Sequence, residues 1–281
     1  MNLPSFTNTT YFYFFCTVVL YFLFSPLIGS NLYNFFLFYP IKGINVNDPP
    51  TILGLNGQNI NFKSGNENLN AWYYKNPKAN YVILLSHGNG GNILYRVALI
   101  EMLLESNLSV FAYDYQGYGN SSGTPSLAAV CANGISAYDY LVNDLNYSSD
   151  KIILYGESLG TGVSTYIAKH KQYKAIILQS GFCALRKRAM ETLPFLIMYP
   201  DFMWPEYSLN NLKILQKPHQ PLLLIHGKLD DVVGFKHFEE LNEKAVPPID
   251  TLILERTNHT NIYETARFDF INKISKFIKS I

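Results

Sequence analysis

The sequence predicts an α/β protein built on a mostly parallel sheet with helices on both faces. Two observations carry this prediction. First, six short apolar runs recur along the chain: YVILL at 81–85, VFAY at 110–113, IILY at 152–155, AIIL at 175–178, LLLI at 222–225 and TLIL at 251–254. Such runs, bounded by Gly, Pro, Asn or Asp, are the pattern of strands buried on both faces. Second, helical stripes lie between and after them. Ile93, Val97, Ile100 and Leu104 step by four, three and four; Phe270, Ile274, Phe277 and Ile281 do the same, with Lys273, Lys276 and Lys279 off the stripe. Strand–helix alternation of this kind places helices on both faces of a parallel sheet.

The elements before the first buried run differ. Residues 1–41 contain no Asp, Glu, Lys or Arg, and the first charge is Lys42. Residues 9–28 supply a mostly apolar stretch of about 20 residues, enough to cross ~30 Å of hydrocarbon. Pro26 and the pair Gly29-Ser30 fit a helix stop. Residues 31–39 (NLYNFFLFY) carry aromatic rings suited to a membrane interface. The expectation is a retained, single-pass N-terminal membrane anchor with an interfacial segment over 1–41, followed by one catalytic domain over 42–281. It is preferred to a cleaved signal peptide, which would carry a basic n-region, and to a helix laid over the globular domain. Beyond Lys42, residues 58–63 and 71–74 alternate like short antiparallel strands. Residues 181–220 form a long interval between two strands and are rich in Met, Leu, Phe and Pro. They read either as a helix on the sheet edge or as an insert walling an apolar pocket, and both can hold.

Composition removes several functions. A net charge of +1 leaves no basic footprint for nucleic acid. A 48% hydrophobic content excludes disorder of the bulk, and three cysteines exclude a disulfide scaffold. No Cys/His pair stands at ligand spacing, so no metal site is expected.

The chemistry centres on Gly156-Glu157-Ser158-Leu159-Gly160, which follows the run IILY directly and precedes a helical pattern over 161–170. A serine on a sharp strand-to-helix turn is held clear of the backbone at the top of the sheet, and side chains at Gly156 and Gly160 would collide with that turn. A hydroxyl needs a base, and the base needs an orienting acid. His259 lies past the last strand, on a loop before the final helix, and is the expected base. The acid is Asp230 or Asp231, both past the run LLLI, with Asp230 preferred. His226 and His87 each precede a Gly at a strand end, as structural turns do. A developing oxyanion needs backbone donors; Leu159 N–H and Asn89 N–H, the latter in the glycine-rich loop after YVILL, are the candidates. The same loop lacks the residues of a phosphate-binding P-loop.

HGNGGN at 87–92, YDYQGYGNSSGTPS at 113–126, GESLG at 156–160, HGKLDDVV at 226–233 and NH at 258–259 together resemble the α/β-hydrolase superfamily. More narrowly they are similar to its membrane-anchored, serine-aminopeptidase-like branch, which includes protein depalmitoylases and single-pass hydrolases. The resemblance runs from about residue 39 to the C-terminus. It implies the α/β-hydrolase fold, with Ser158 as nucleophile, Asp230 as acid, His259 as base, and Asn89 and Leu159 as oxyanion donors. It also implies that Asp114 belongs to the scaffold. Asn258 stands where such chains often have Gly before the histidine, and Asn tolerates left-handed dihedrals.

The expected function is a membrane-anchored serine hydrolase cleaving acyl ester or thioester bonds through an acyl-enzyme. The alternatives are a serine peptidase or amidase of the same fold and a non-catalytic scaffold. An aminopeptidase wants a carboxylate for the substrate's amine, and Glu191, Asp201 and Glu206 in the insert are not assignable to it. No cofactor and no metal are expected. The expected partners are an acyl-bearing small molecule, lipid or lipidated protein, and the membrane; the chain is expected to be a monomer.

Overall fold

The computed structural model describes residues 8–43, 49–205, 207 and 209–281. Its strands, in chain order, are β1 (Tyr39–Pro40), β2 (Gln58–Ser64), β3 (Glu67–Tyr74), β4 (Val82–Ser86), β5 (Gly90–Gly91), β6 (Ser109–Tyr113), β7 (Ile152–Glu157), β8 (Ala175–Gln179), β9 (Leu222–Gly227) and β10 (Ile249–Leu254). Its α-helices are α1 (Asn8–Leu23), α2 (Ser30–Leu37), α3 (Val97–Glu105), α4 (Leu127–Asn143), α5 (Leu159–His170), α6 (Leu185–Thr192), α7 (Asn211–Leu215), α8 (Lys236–Lys244), α9 (Ile262–Thr265) and α10 (Arg267–Ser280). Eight strands form one sheet in the order β10-β9-β8-β7-β4-β6-β3-β2. The pairs β2/β3 and β3/β6 are antiparallel and the other pairs in it are parallel. The six apolar runs all fall in the parallel part, and the alternating runs fall in β2 and β3.

A strand apolar at every position is what burial on both faces demands. In β4, Val82 and Leu84 join one core and Ile83 and Leu85 the other. Residues of β7 divide the same way, Ile152 and Leu154 against Ile153 and Tyr155. The first core is closed by residues of α4, α5 and α8, the second by residues of α3 and α10. Burying one Val, Leu or Ile side chain contributes roughly 1.5–3 kcal/mol, so these strands supply much of the driving force. The terminal stripe packs as its spacing predicts, with Phe270, Ile274 and Phe277 buried in α10.

β3 begins at Glu67, four residues before the alternating run. Three of the four extra residues, Glu67, Asn68 and Asn70, are polar, so hydropathy gives little signal for them. They are held by hydrogen bonds instead: buried Asn70 donates its backbone N–H to Ser121 Oγ (2.9 Å) and its amide Nδ2 to Asn59 Oδ1 (2.7 Å).

The expected transmembrane helix is overturned, and with it the single-pass membrane location. α1 spans 16 residues, about 24 Å of rise against ~30 Å of hydrocarbon. Among the described residues no helix is long and apolar enough to cross a membrane. Pro26 explains the early end, because the residue before a proline is pushed out of helical dihedrals. The chain leaves the helix at Leu23, and Leu27 N–H donates to Met203 O (2.9 Å) in the insert. Tyr21 Oη donates to Met198 O (3.0 Å), and its ring stacks on Tyr199 at 4.9 Å. Much of α1 stays exposed, Phe14 at 69% for example. The segment therefore touches the body along one side, against a small apolar cluster of Leu196, Tyr199 and Met203.

Phe270→Ala should lower the unfolding free energy by ~3–5 kcal/mol in urea titrations. Phe268→Ala, two residues away and 76% exposed, should stay within ~0.5 kcal/mol of the parent.

Candidate active site

Ser158 sits between β7 and α5 with φ 52° and ψ −115°, outside the allowed regions for an L-residue. The surroundings hold it there. Its N–H donates to Gln179 O (2.9 Å), and its carbonyl accepts from Thr161 N (3.0 Å) and Thr161 Oγ1 (2.7 Å). The two flanking glycines are sterically required. A Cβ on Gly160 would lie 1.9 Å from Ser86 O, and one on Gly156 would lie 2.5 Å from Gly160 O.

The neighbouring parallel strands deliver the other groups at their carboxyl ends, as expected for such sheets. His259 Nε2 lies 3.0 Å from Ser158 Oγ, and His259 Nδ1 lies 2.7 Å from Asp230 Oδ2. Asp230 follows β9 and its other oxygen accepts from Val232 N (3.0 Å) and Val233 N (2.7 Å). Burial works against the Asp230 carboxylate, but the His259 hydrogen bond and charge, the Val233 N–H and nearby His226 outweigh it, and its carboxyl titrates below the ordinary range. An ionised Asp230 keeps the proton on His259 Nδ1 and leaves Nε2 as an acceptor for the serine proton. Asp231 is exposed; of the two aspartates, Asp230 is the one that meets the histidine.

His226 braces the Asp230 loop from beneath. Its Nε2–H donates to Val233 O (2.7 Å), and burial lowers its pKa, favouring the neutral ring. A Cβ on Gly227 would lie 2.2 Å from Thr257 O, so only glycine lets the end of β9 approach the loop that carries His259. Asn258 does not adopt the left-handed conformation that its position suggested. It holds the loop through its side chain, with Oδ1 accepting from Thr260 N (3.0 Å) and Asn261 N (3.0 Å).

The loop after β4 passes in front of Ser158. A Cβ on Gly88 would lie 3.5 Å from Ser158 Cβ. Asn89 and Leu159, the expected oxyanion donors, both border the cavity that opens at Ser158. Leu159 is the first residue of α5, so its N–H has no acceptor within the helix. His87 is buried, with Nδ1 2.7 Å from Gly88 O and Nε2 3.4 Å from Asp114 Oδ1. Asp114 Oδ1 in turn accepts from Ile93 N (2.9 Å), which places Asp114 beneath the loop rather than at the serine.

Sequence reasoning missed one pair. Arg96 Nε donates to Glu157 Oε2 (2.8 Å), Nη2 to Glu157 Oε1 (3.4 Å), and Nη1 to Gly90 O (2.7 Å). One guanidinium therefore joins the residue before Ser158 to the loop in front of it. Burial opposes ionisation of Glu157, but the charge and hydrogen bonds of Arg96 prevail and its carboxyl titrates below the ordinary range. The available signal was a lone basic residue inside the apolar run ILYRVALI at 93–100.

The cavity has a volume of about 740 Å³. Leu185, Leu193 and Leu196 of the insert and Tyr33, Leu37 and Tyr39 of the N-terminal segment line it. Its described lining includes no Asp or Glu. Glu191 is engaged by Lys236 (2.9 Å) and His237 (3.0 Å), Asp201 pairs with Arg186, and Glu206 lies outside the described residues. Among the described residues no cluster of three His, Cys, Asp or Glu is placed to hold a metal.

Residues 77–219 match the family described as serine aminopeptidase, S33. The chain is 30% identical over 203 residues to alpha/beta hydrolase domain-containing protein 17B of Xenopus laevis, covering 72% of this chain and 67% of that one. It is also 30% identical over 200 residues to YfhR of Escherichia coli (strain K12), covering 67% and 69%. Among solved structures, an esterase of Pyrococcus furiosus superposes with a TM-score of 0.71 at 18% identity, covering 87% of this chain and 98% of that one. An acylaminoacyl peptidase of Pyrococcus horikoshii superposes with a TM-score of 0.60 at 14% identity, covering 80% and 41%. These structures share the fold. The family match begins at residue 77 and gives no support to a membrane-anchored branch.

Two outcomes follow from the buried charges. Arg96→Met strands the Glu157 carboxylate and should lower stability by ~3 kcal/mol or more, with Glu157→Gln in the same chain recovering part of it in a urea double-mutant cycle. Because Asp230 and Glu157 both titrate lower in the folded state, they stabilise the fold above the ordinary carboxylate range. That contribution is lost as pH falls from about 4.5 downward, and Glu157→Gln should flatten the acid limb of a stability-versus-pH curve.

Proposed function

The chain belongs to the serine aminopeptidase (S33) family of α/β hydrolases, and from that footing we propose that it is a serine hydrolase cleaving acyl ester or thioester bonds. The observation that carries this reading is the relay of Ser158 Oγ, His259 Nε2 at 3.0 Å and Asp230 at 2.7 Å from His259 Nδ1. Ser158 Oγ attacks the acyl carbonyl carbon while His259 Nε2 takes the hydroxyl proton. Asp230 stabilises the imidazolium that forms. The carbonyl oxygen becomes an oxyanion facing the N–H groups of Leu159 and Asn89. The tetrahedral intermediate collapses to acyl-Ser158, and the leaving alkoxide or thiolate takes the proton from His259. A water then gives its proton to His259 and attacks the acyl carbon. Release of the carboxylic acid returns the proton to Ser158.

The cavity supports an acyl rather than a peptide substrate. Its walls are mostly apolar, with Leu, Phe and Tyr side chains prominent, which suit an alkyl chain. An aminopeptidase would need a carboxylate to receive an α-ammonium group, and the described lining offers arginines, Arg186 and Arg188, but no acid. The domain assignment follows the same logic: residues 42–281 would hold the catalytic machinery, with residues 181–220 forming one wall of the acyl site.

Ser158→Ala should abolish labelling by a fluorophosphonate probe and cut turnover of a p-nitrophenyl acyl ester by ~10⁴-fold or more. Labelling of that variant at the parental rate would refute the assignment. Parallel assays with acyl esters, acyl thioesters and aminoacyl p-nitroanilides separate the substrate classes. Preference for the anilides would favour the peptidase reading.

A further inference from the structure

We infer that residues 37–41 hold the oxyanion loop in its working geometry, so that turnover depends on a segment outside the catalytic core. The inference rests on the serine-hydrolase reading above. The loop between β4 and α3 carries Gly88, Gly90 and Gly91 around Asn89. Glycine leaves the backbone free to adopt many conformations, so a donor in such a loop must be fixed by its surroundings. Arg96 grips it from the side of Ser158 through Gly90 O (2.7 Å). The opposite side is gripped by the N-terminal segment.

That grip is continuous. β1 pairs with β5 in parallel, Tyr39 opposite Gly90 and Pro40 opposite Gly91. Tyr39 N–H donates to Asn89 O (3.0 Å), and Ile41 N–H donates to Gly91 O (3.1 Å). The side chain of Asn89 donates from Nδ2 to Leu37 O (2.9 Å), and Asn92 Nδ2 donates to Ile41 O (3.1 Å). Tyr118 Oη closes the set by donating to Asn89 O (2.6 Å). Both the carbonyl and the side chain of Asn89 are thus engaged, and His87 Nδ1 lies 2.7 Å from Gly88 O, the carbonyl of the peptide unit that carries the Asn89 N–H, so the position and the direction of that N–H are both held. A misplacement of about 1 Å at such a donor costs on the order of 10²-fold in rate.

The test uses the full chain and compares Asn89→Ala, which keeps the backbone N–H but removes the tie to Leu37, with Ile41→Pro, which removes the N–H that the segment donates to Gly91 O. Both are assayed on a p-nitrophenyl ester and on its thiono analogue, whose C=S sulfur is a weak hydrogen-bond acceptor. The expected result is a loss of ~10²-fold in kcat for Asn89→Ala and ~10-fold for Ile41→Pro, with KM within about threefold. The ratio of oxo-ester to thiono-ester turnover should fall in parallel, a change that general destabilisation would not produce. Thermal unfolding of each variant checks its fold, and Ile41→Pro carries the test if Asn89→Ala does not fold. Parental kcat and an unchanged ratio in folded variants, with Ser158→Ala still inactive, would overturn the positioning role alone. An active Ser158→Ala would overturn the serine-hydrolase reading and this role with it.

Discussion

The site depends on a contact between two stretches of backbone. Gly160, on the first turn of α5, lies so close to the last residue of β4 that a side-chain carbon would sit 1.9 Å from Ser86 O. The parallel register of β4 and β7, with Ser86 opposite Gly156, sets the height at which the two chains meet. Ser158 and the glycine-rich loop are therefore placed side by side by the sheet itself. The strain at Ser158 is of order 1–3 kcal/mol, small beside the burial of strands that are apolar on both faces.

Charge is arranged around that contact in separate pairs. Asp230 is satisfied by His259 and two N–H groups of its own loop. Glu157 is satisfied by Arg96. Burial works against the Glu157 carboxylate, and the Arg96 charge and hydrogen bonds hold it ionised. The same guanidinium donates from Nη1 to Gly90 O in the loop in front of Ser158. One buried cation thus serves both the electrostatics and the geometry of the proposed site.

The fold was legible because its signals are local. The six apolar runs and the α10 stripe need only the periodicity of burial, and the GESLG turn and late histidine need only their place relative to strands. What escaped has a different physical origin. Arg96 and Glu157 are 61 positions apart, and no spacing rule joins them. The start of β3 is mostly polar, and the burial of Asn70 is made possible by hydrogen bonds to Ser121 and Asn59. Asp230 and Asp231 are adjacent and chemically alike; only the closure of the loop onto His226 and Val233 turns one inward and leaves the other exposed.

The N-terminal segment shows where composition stops being informative. In the part of the charge-free, aromatic-rich stretch that follows α1, the same apolar residues satisfy the hydropathy requirement of a lipid-facing segment and that of a wall around an apolar cavity. Length and a proline separate the two. Pro26 ends α1 too soon for a span, and the turn that follows delivers Tyr33, Leu37 and Tyr39 to the cavity. Once the chain has turned, the pairing of β1 with β5 is dictated by the loop itself. A two-residue glycine strand has no side chains to pack, so it can be held only through its backbone, and the Tyr39–Ile41 backbone supplies the matching donors. The same residues that hydropathy assigns to a membrane interface are, in the fold, the neighbours of the proposed oxyanion donor.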